Sequence, residues 1–211
     1  MKSIIHNNQS KTIIEDIHTN KSLYEYTIHD NAHLTVVLIG VQKIDMEIVA
    51  RIRLVGTGSS ANIIGLMAVH GDHRITMHTE QIHAAPVTTS NLLVKAALYD
   101  QIQFSYDGVI RVEPQAQKTD AYQKNENLIL SSDAHARSDP ALEILANDVR
   151  CTHGSTTGKP NEDQLWYLMS RGLTRSSATQ LLIDGFFQHA IATISDTINQ
   201  DKVRKLLWHS T

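Results

Sequence analysis

The sequence predicts a mostly β body followed by a small C-terminal α-helical subdomain. Three observations carry this: short runs of alternating apolar residues, turn signals between them, and a change of period after Pro160. The run MEIVARIRLV sets Ile48, Ala50, Ile52 and Leu54 against Glu47, Arg51 and Arg53, the period of two expected of a strand with one buried face. QIQFSY repeats it with Ile102, Phe104 and Tyr106. Turn residues gather at Gly56 to Ser60, Gly71-Asp72, Asp107-Gly108 and Ser131 to Asp133. Many short strands at steady spacing fit a sandwich, a barrel or a β-helix, and periodicity does not choose among them.

Beyond Pro160 the pattern becomes helical. Asn161 is placed to cap a helix whose third residue is Gln164, with Glu162 and Asp163 at the positive end of its dipole. Gly172 is placed to end that helix at C′. Thr174 then caps a second helix with an apolar stripe of Ala178, Leu181, Leu182, Gly185, Phe186 and His189. A third helix ending near Leu207 is expected from Ile191, Ile194, Ile198, Val203 and Leu206. The chain thus divides into residues 1–33, which no pattern assigns, a β core over 34–158, and helices over 159–211.

Composition narrows the function. The 211 residues are 41% hydrophobic, enough for a real core, and the net charge of -3 advertises neither nucleic acid nor anionic lipid as a partner. The start, MKSIIHNNQSKTIIEDIH, has no apolar run of signal-peptide type, and the longest apolar stretch, Leu34 to Val41, is too short to span a membrane. A cytoplasmic protein is expected. One cysteine excludes an internal disulfide and cannot alone hold a zinc ion or an iron–sulfur cluster. Histidine is abundant, with 12 in the chain, and His70, His73, His78 and His83 fall in one window. Dispersed over strand faces, they are expected to be solvated rather than to form a zinc site.

Three stretches could carry chemistry. VGTGSSA, Val55 to Ala61, has the look of a dinucleotide-binding turn, but NIIGLMAVHGDHRITMH beyond it reads as strand, so no helix N-terminus would meet a pyrophosphate. Asp133 and His135 lie in a turn with no nucleophile beside them. RCTHGSTTG, Arg150 to Gly158, is different. In an extended segment Cys151 and His153 share a face, about 7 Å apart. Cys151 also shares parity with Val149, so a buried structural thiol and a thiol–imidazole site both remain open. If it is a site, two ligands on one strand are too few, and the others must come from elsewhere, most economically from a partner subunit at this edge.

The second half of the chain resembles the C-terminal core of the SufB/SufD family, scaffolds of the SUF system for iron–sulfur cluster assembly. The resemblance runs from about Leu92 to Phe187. It rests on DGVIRV at Asp107 to Val112, P-x-L-E-I at Pro140 to Ile144, D-V-x-C-x-H-G at Asp148 to Gly154, and Y-L-x-S-R-G at Tyr167 to Gly172, in that order and spacing. It implies a right-handed parallel β-helix followed by the small helical subdomain, and a scaffold rather than an enzyme. It implies pairing with a second SufB- or SufD-like chain (SufB, or a second copy of this one) and docking of the ATPase SufC on the helices. A transient cluster would form at the paired interface, with none held by the isolated chain. Carried over by motif, Cys151 and His153 are the metal-proximal pair, and Leu165, Tyr167, Arg171 and Gly172 belong to the ATPase-docking helices. The C-x-H-G stretch is similar to the SufD version of the motif, while Glu162 to Leu165 is closer to SufB. Two other functions stay open: a β-helical interaction module that never touches a cluster, and a β-rich nucleotide- or sugar-binding protein.

Overall fold

A computed structural model describes residues 1–208. Twelve strands, β1(Lys2–Ile5), β2(Ser10–Asp16), β3(Lys21–Ile28), β4(His33–Gly40), β5(Met46–Leu54), β6(Ser60–Val69), β7(Arg74–His83), β8(Thr89–Leu98), β9(Gln103–Val112), β10(Thr119–Ile129), β11(His135–Ile144) and β12(Val149–Gly158), precede three helices. Those helices are α1(Glu162–Ser170), α2(Arg175–Ile191) and α3(Thr197–Trp208). Odd-numbered strands form one six-stranded sheet and even-numbered strands another, every pairing parallel. The chain therefore winds as a parallel β-solenoid, laying one strand in each sheet per coil. Residues 1–33 supply β1 to β3, which open both sheets.

Equivalent residues stack coil upon coil. Met46, Ile75, Phe104 and Ala136 are in register in one sheet, as are Leu34, Ala61, Ser90, Ala121 and Cys151 in the other. Inward side chains from both sheets form one continuous apolar core from Ile5 to Ala134. One corner of the winding repeats a left-handed backbone turn, at Asn8, Asn31, Gly58, Val87 and Lys118. Amides there bond forward to the next coil: Asn8 to Asp30, Asn31 to Thr57, Val87 to Gln117 and Lys118 to Asp148. Asparagine and glycine suit this conformation, whereas valine resists it.

The two sheets treat water differently. β5, β7 and β9 alternate buried and partly exposed residues, since their outer face is solvated. β4, β6 and β8 are buried on both faces over most of their length, which explains runs such as LTVVLIG. Their outer residues, among them Val37, Ile64, Leu66, Leu93 and Ala97, form a second core with Ile183, Phe187, Ala190, Ile191, Val203 and Leu207 of the helices.

The caps expected for α1 and α2 are present. Asn161 Oδ1 accepts from Gln164 N at 3.1 Å, and Thr174 Oγ1 from Ser177 N at 3.1 Å. Gly172 follows α1 with φ 97. The stripe expected on α2 is corrected: the buried face is Ala178, Ile183, Phe187, Ala190 and Ile191, while Leu181 is exposed. Both sets fit helical spacing, and the solenoid surface beneath the helix decides between them. The third helix is also shorter than expected. Ile191 ends α2, and Asp196 Oδ1 accepts from Asn199 N at 2.7 Å to start α3, whose Ile198 faces solvent.

Candidate functional site at the open end of the solenoid

β11 pairs only with β9 and β12 only with β10, so among the described residues the last coil has two free strand edges. Its burial is correspondingly incomplete: seven of the ten residues of β12 are exposed and none is buried, whereas alternate residues of β10 are buried from Thr119 to Asn127. A free parallel edge presents unpaired N–H and C=O groups, a template for a further strand. The last coil also leaves its inward side chains uncovered from above.

Cys151 and His153 are two of those side chains. Register places Cys151 beside Ala121 and His153 beside Gln123, and both Ala121 and Gln123 are buried on the inward face of β10. The parity expected from the sequence is therefore present, with the pair at the rim of the interior. Cys151 is half-buried and packs on a small apolar cluster with Ile110, Val112, Ala116, Ala121 and Ala146. Burial pushes its thiol up, Asp120 adds to this, and a backbone hydrogen bond with Ala121 offsets part of it. His153 is exposed. Within this chain Cys151 is thus held as a thiol, and among the described residues no three His, Cys, Asp or Glu side chains gather closely enough to hold a metal. One thiol and one imidazole do not complete a cluster's coordination.

Beneath the rim the interior turns polar. Gln123, Asn125 and Asn127 of β10 are all buried. Asn125 and Asn127 bond to each other at 3.0 and 2.8 Å, and Asn127 reaches Thr157 of β12 at 3.1 Å. In sequence, AYQKNENLIL shows no apolar face, so alternation gives no hint that its amides point inward. Register with Leu92 and Val94, both buried in the core, sets Gln123 and Asn125 on the inward face.

The other candidates separate. Gly56 to Ser59 form a turn leading into β6, with no helix to meet a pyrophosphate. Asp133 sits in the turn before β11, and His135 starts that strand; both are exposed. His70 stacks on Tyr99 at 3.7 Å, His73 lies 3.6 Å from Asp45, and His78 lies 3.2 Å from Asp107. His83 corrects the expectation of a solvated residue: it is buried, with Nδ1 2.8 Å from Thr88 Oγ1 and Nε2 2.8 Å from Ser90 Oγ. Burial depresses its pKa to about 4, so it is neutral.

On the helices, Leu165 is only 2% exposed and holds α1 in place, whereas Tyr167 is well exposed. The Arg171 guanidinium lies 5.2 Å from the centre of the Tyr167 ring, and its Nη2 donates to the Tyr167 hydroxyl at 3.3 Å. Gly172 N–H bonds Met169 O at 3.0 Å and turns the chain towards α2. Tyr167, Leu168 and Leu182 line a shallow hollow of about 400 Å³ with Asn161, Asp163 and Gln164. Trp166, which falls on α1 as its sequence spacing predicts, is 65% exposed.

Fold and site together define a class: a parallel β-solenoid with a helical tail, whose unfinished last coil carries a thiol and an imidazole on its inner rim. The family model of the SufBD core domain, from the SUF system for iron–sulfur cluster assembly, matches residues 4–186, and the chain belongs to that family. It is 34% identical over 171 residues to an iron–sulfur cluster assembly SufBD family protein of Mycobacterium leprae, covering 77% of this chain and 43% of that one. Against the iron–sulfur cluster assembly protein SufD of Escherichia coli it is 34% identical over 114 residues, 54% of this chain and 27% of that protein. SufD of Bacillus subtilis is 28% identical over 154 residues, 73% and 34% of the two chains. The chain thus spans less than half the length of these relatives. No described helix is long and apolar enough to cross a membrane.

Proposed function

We propose that the protein is a non-enzymatic scaffold subunit of a SUF-type iron–sulfur cluster assembly complex, acting in the cytoplasm. It pairs through its last coil with a second SufB- or SufD-like chain and binds a SufC-type ATPase through its helical tail. The observation that carries the reading is the free edge of β12 with Cys151 and His153 on its inner side. The cluster is cargo rather than a resident cofactor. One chain offers a thiol and an imidazole; a symmetric pair would offer two of each, enough for mixed ligation, and an unlike partner would bring further thiolates. The positive charge of bound iron would offset the burial that now favours the thiol, and the Cys151 proton would be released to solvent. ATP hydrolysis belongs to the ATPase, and Tyr167, Arg171 and the neighbouring hollow supply an amphipathic surface for it.

The test is anaerobic reconstitution of the assembled complex with wild-type and Cys151→Ser chains. The variant is expected to assemble normally and to retain less iron and sulfide. Equal retention would leave an interaction module without cluster contact.

A further inference from the structure

The last coil rests on a polar floor. Of residues 131–158 only Ala134 and Ala146, at its two corners, are buried. Between those corners the layer beneath is made of Gln123, Asn125 and Asn127 on β10 and of Gly108 on β9, where no Cβ fits beside the Gln123 amide. One coil lower, the residues in register with Gln123 and Asn125 are Leu92 and Val94. Lifting the last coil therefore exposes amides that water can satisfy, whereas lifting two coils exposes apolar surface. Closure also leaves polar atoms unpaired on both sides of this junction. Gln123 Nε2 below it and Ser138 Oγ above it, on β11, are buried with no hydrogen-bond partner among the described residues. Each costs the closed state desolvation that opening recovers. Asn125 and Asn127 bond to each other, and among the described residues Asn127 alone reaches up from the floor, to Thr157. The ion pairs across the junction, Asp120 with Arg150 and Arg111 with Glu143, are exposed and contribute little. Apolar contact gathers at the corners. Ala134 and Ala136 meet the main core at one, and Ile144, Ala146, Val149 and Cys151 meet Ile110, Val112, Ala116 and Ala121 at the other. The segment is anchored at both ends, because Ile129 packs on the main core and Leu165 of α1 is buried.

We propose that the last coil, residues 131–158, is a flap that opens as one unit while the rest of the solenoid stays folded, and that pairing with a second chain closes it. The closing half rests on the reading of this coil as the pairing surface. In a solenoid each coil is stabilised by its neighbours alone, so an end coil laid over a polar layer is where the stack separates. Opening lifts Cys151 out of its corner cluster and carries His153 with it. A partner strand along the free edge of β12 supplies the second neighbour that this coil lacks. A fixed geometry of thiol and imidazole then belongs to the assembled pair and not to the single chain.

The experiment is hydrogen exchange resolved to single amides, on the full chain at concentrations where sedimentation shows a monomer. Amides bonded between β12 and β10, or between β11 and β9, are expected to exchange through one shared opening. Their protection should lie about a hundredfold below that of amides bonded between β6 and β8. The shared opening should also respond to urea less steeply than global unfolding, since it exposes less surface. Protection equal to that of β6 and β8 would overturn the flap, and so would amides that fray one by one without a common value. In the assembled complex the same amides should rise to the protection of β6 and β8. A flap that opens in the monomer and is no better protected in the complex would overturn closure by the partner, and with it pairing through the last coil, while the separate opening stands.

Discussion

Lys95 holds its ammonium 4.2 Å above the centre of the Phe186 ring while its Nζ lies 2.5 Å from Glu126 Oε2. It projects from the outer face of β8 and is only 4% exposed because α2 covers it. A buried lysine is tolerable when its charge is matched, and here a carboxylate and an aromatic face match it. This contact joins the helical tail to the solenoid.

Removing the carboxylate should therefore cost more than removing the lysine. Glu126→Gln leaves the ammonium unpaired and is expected to destabilise by about 3 kcal/mol. Lys95→Met keeps an apolar contact with Phe186 and leaves Glu126 paired with Lys124, and is expected to cost about 1 kcal/mol. Urea denaturation of the two variants and the double substitution checks the order; equal losses would contradict it. Burial raises the Glu126 pKa, but hydrogen bonds from Lys124 and Lys95 outweigh it and hold the carboxyl below its usual value. Its contribution is accordingly present above the unfolded carboxyl pKa, about 4.3, and is lost as pH falls through the lower folded value.

His83 works in the opposite sense. Its folded pKa is depressed to about 4 by burial, against about 6.5 unfolded, so between those values the unfolded chain binds the extra proton. Stability should fall as pH drops through that window, by up to about 1.4 kcal/mol per pH unit from this residue. His83→Gln is expected to flatten the slope of stability against pH by up to one proton. An unchanged slope would mean that the native ring is protonated as readily as the unfolded one.

Val87 has φ 59 at the corner where three of the other four coils place asparagine or glycine, and its side chain is half exposed. Relief of the left-handed strain should exceed the small loss of burial, so Val87→Asn is expected to stabilise by about 1 kcal/mol. Thermal or urea unfolding measures it, and a destabilised variant would refute the account.

The tail offers a paired test of docking. Trp166→Asp alters an exposed residue and should leave the melting temperature unchanged while abolishing copurification with the ATPase. Leu165→Asp places a charge at a buried position and should unfold the helices, losing the partner for a trivial reason. Retention of the ATPase by Trp166→Asp would move the docking surface elsewhere.

Some of this was legible in one dimension. Asn161, Gln164, Gly172 and Thr174 announce their helix ends because caps act within three or four residues. Ile48, Ala50, Ile52 and Leu54 face inward as alternation requires, and Cys151 and His153 share a face for the same reason. The buried stripe of α2 differs from the expected one because two sets of residues fit the same period, and only the neighbouring sheet discriminates. Gln123, Asn125 and Asn127 stayed hidden because their strand is polar on both faces.

The amino-acid order by itself determined alternating strands such as β5 and β9, the turns beside them, the first two helix starts and the parity of the thiol with the imidazole, since each is set by neighbours along the chain. Only the tertiary structure decided that the strands pair in parallel, that Gln123 lies under His153, and that the last coil is left open. Those facts depend on residues a full coil apart, whose contacts arise from winding and leave no local trace.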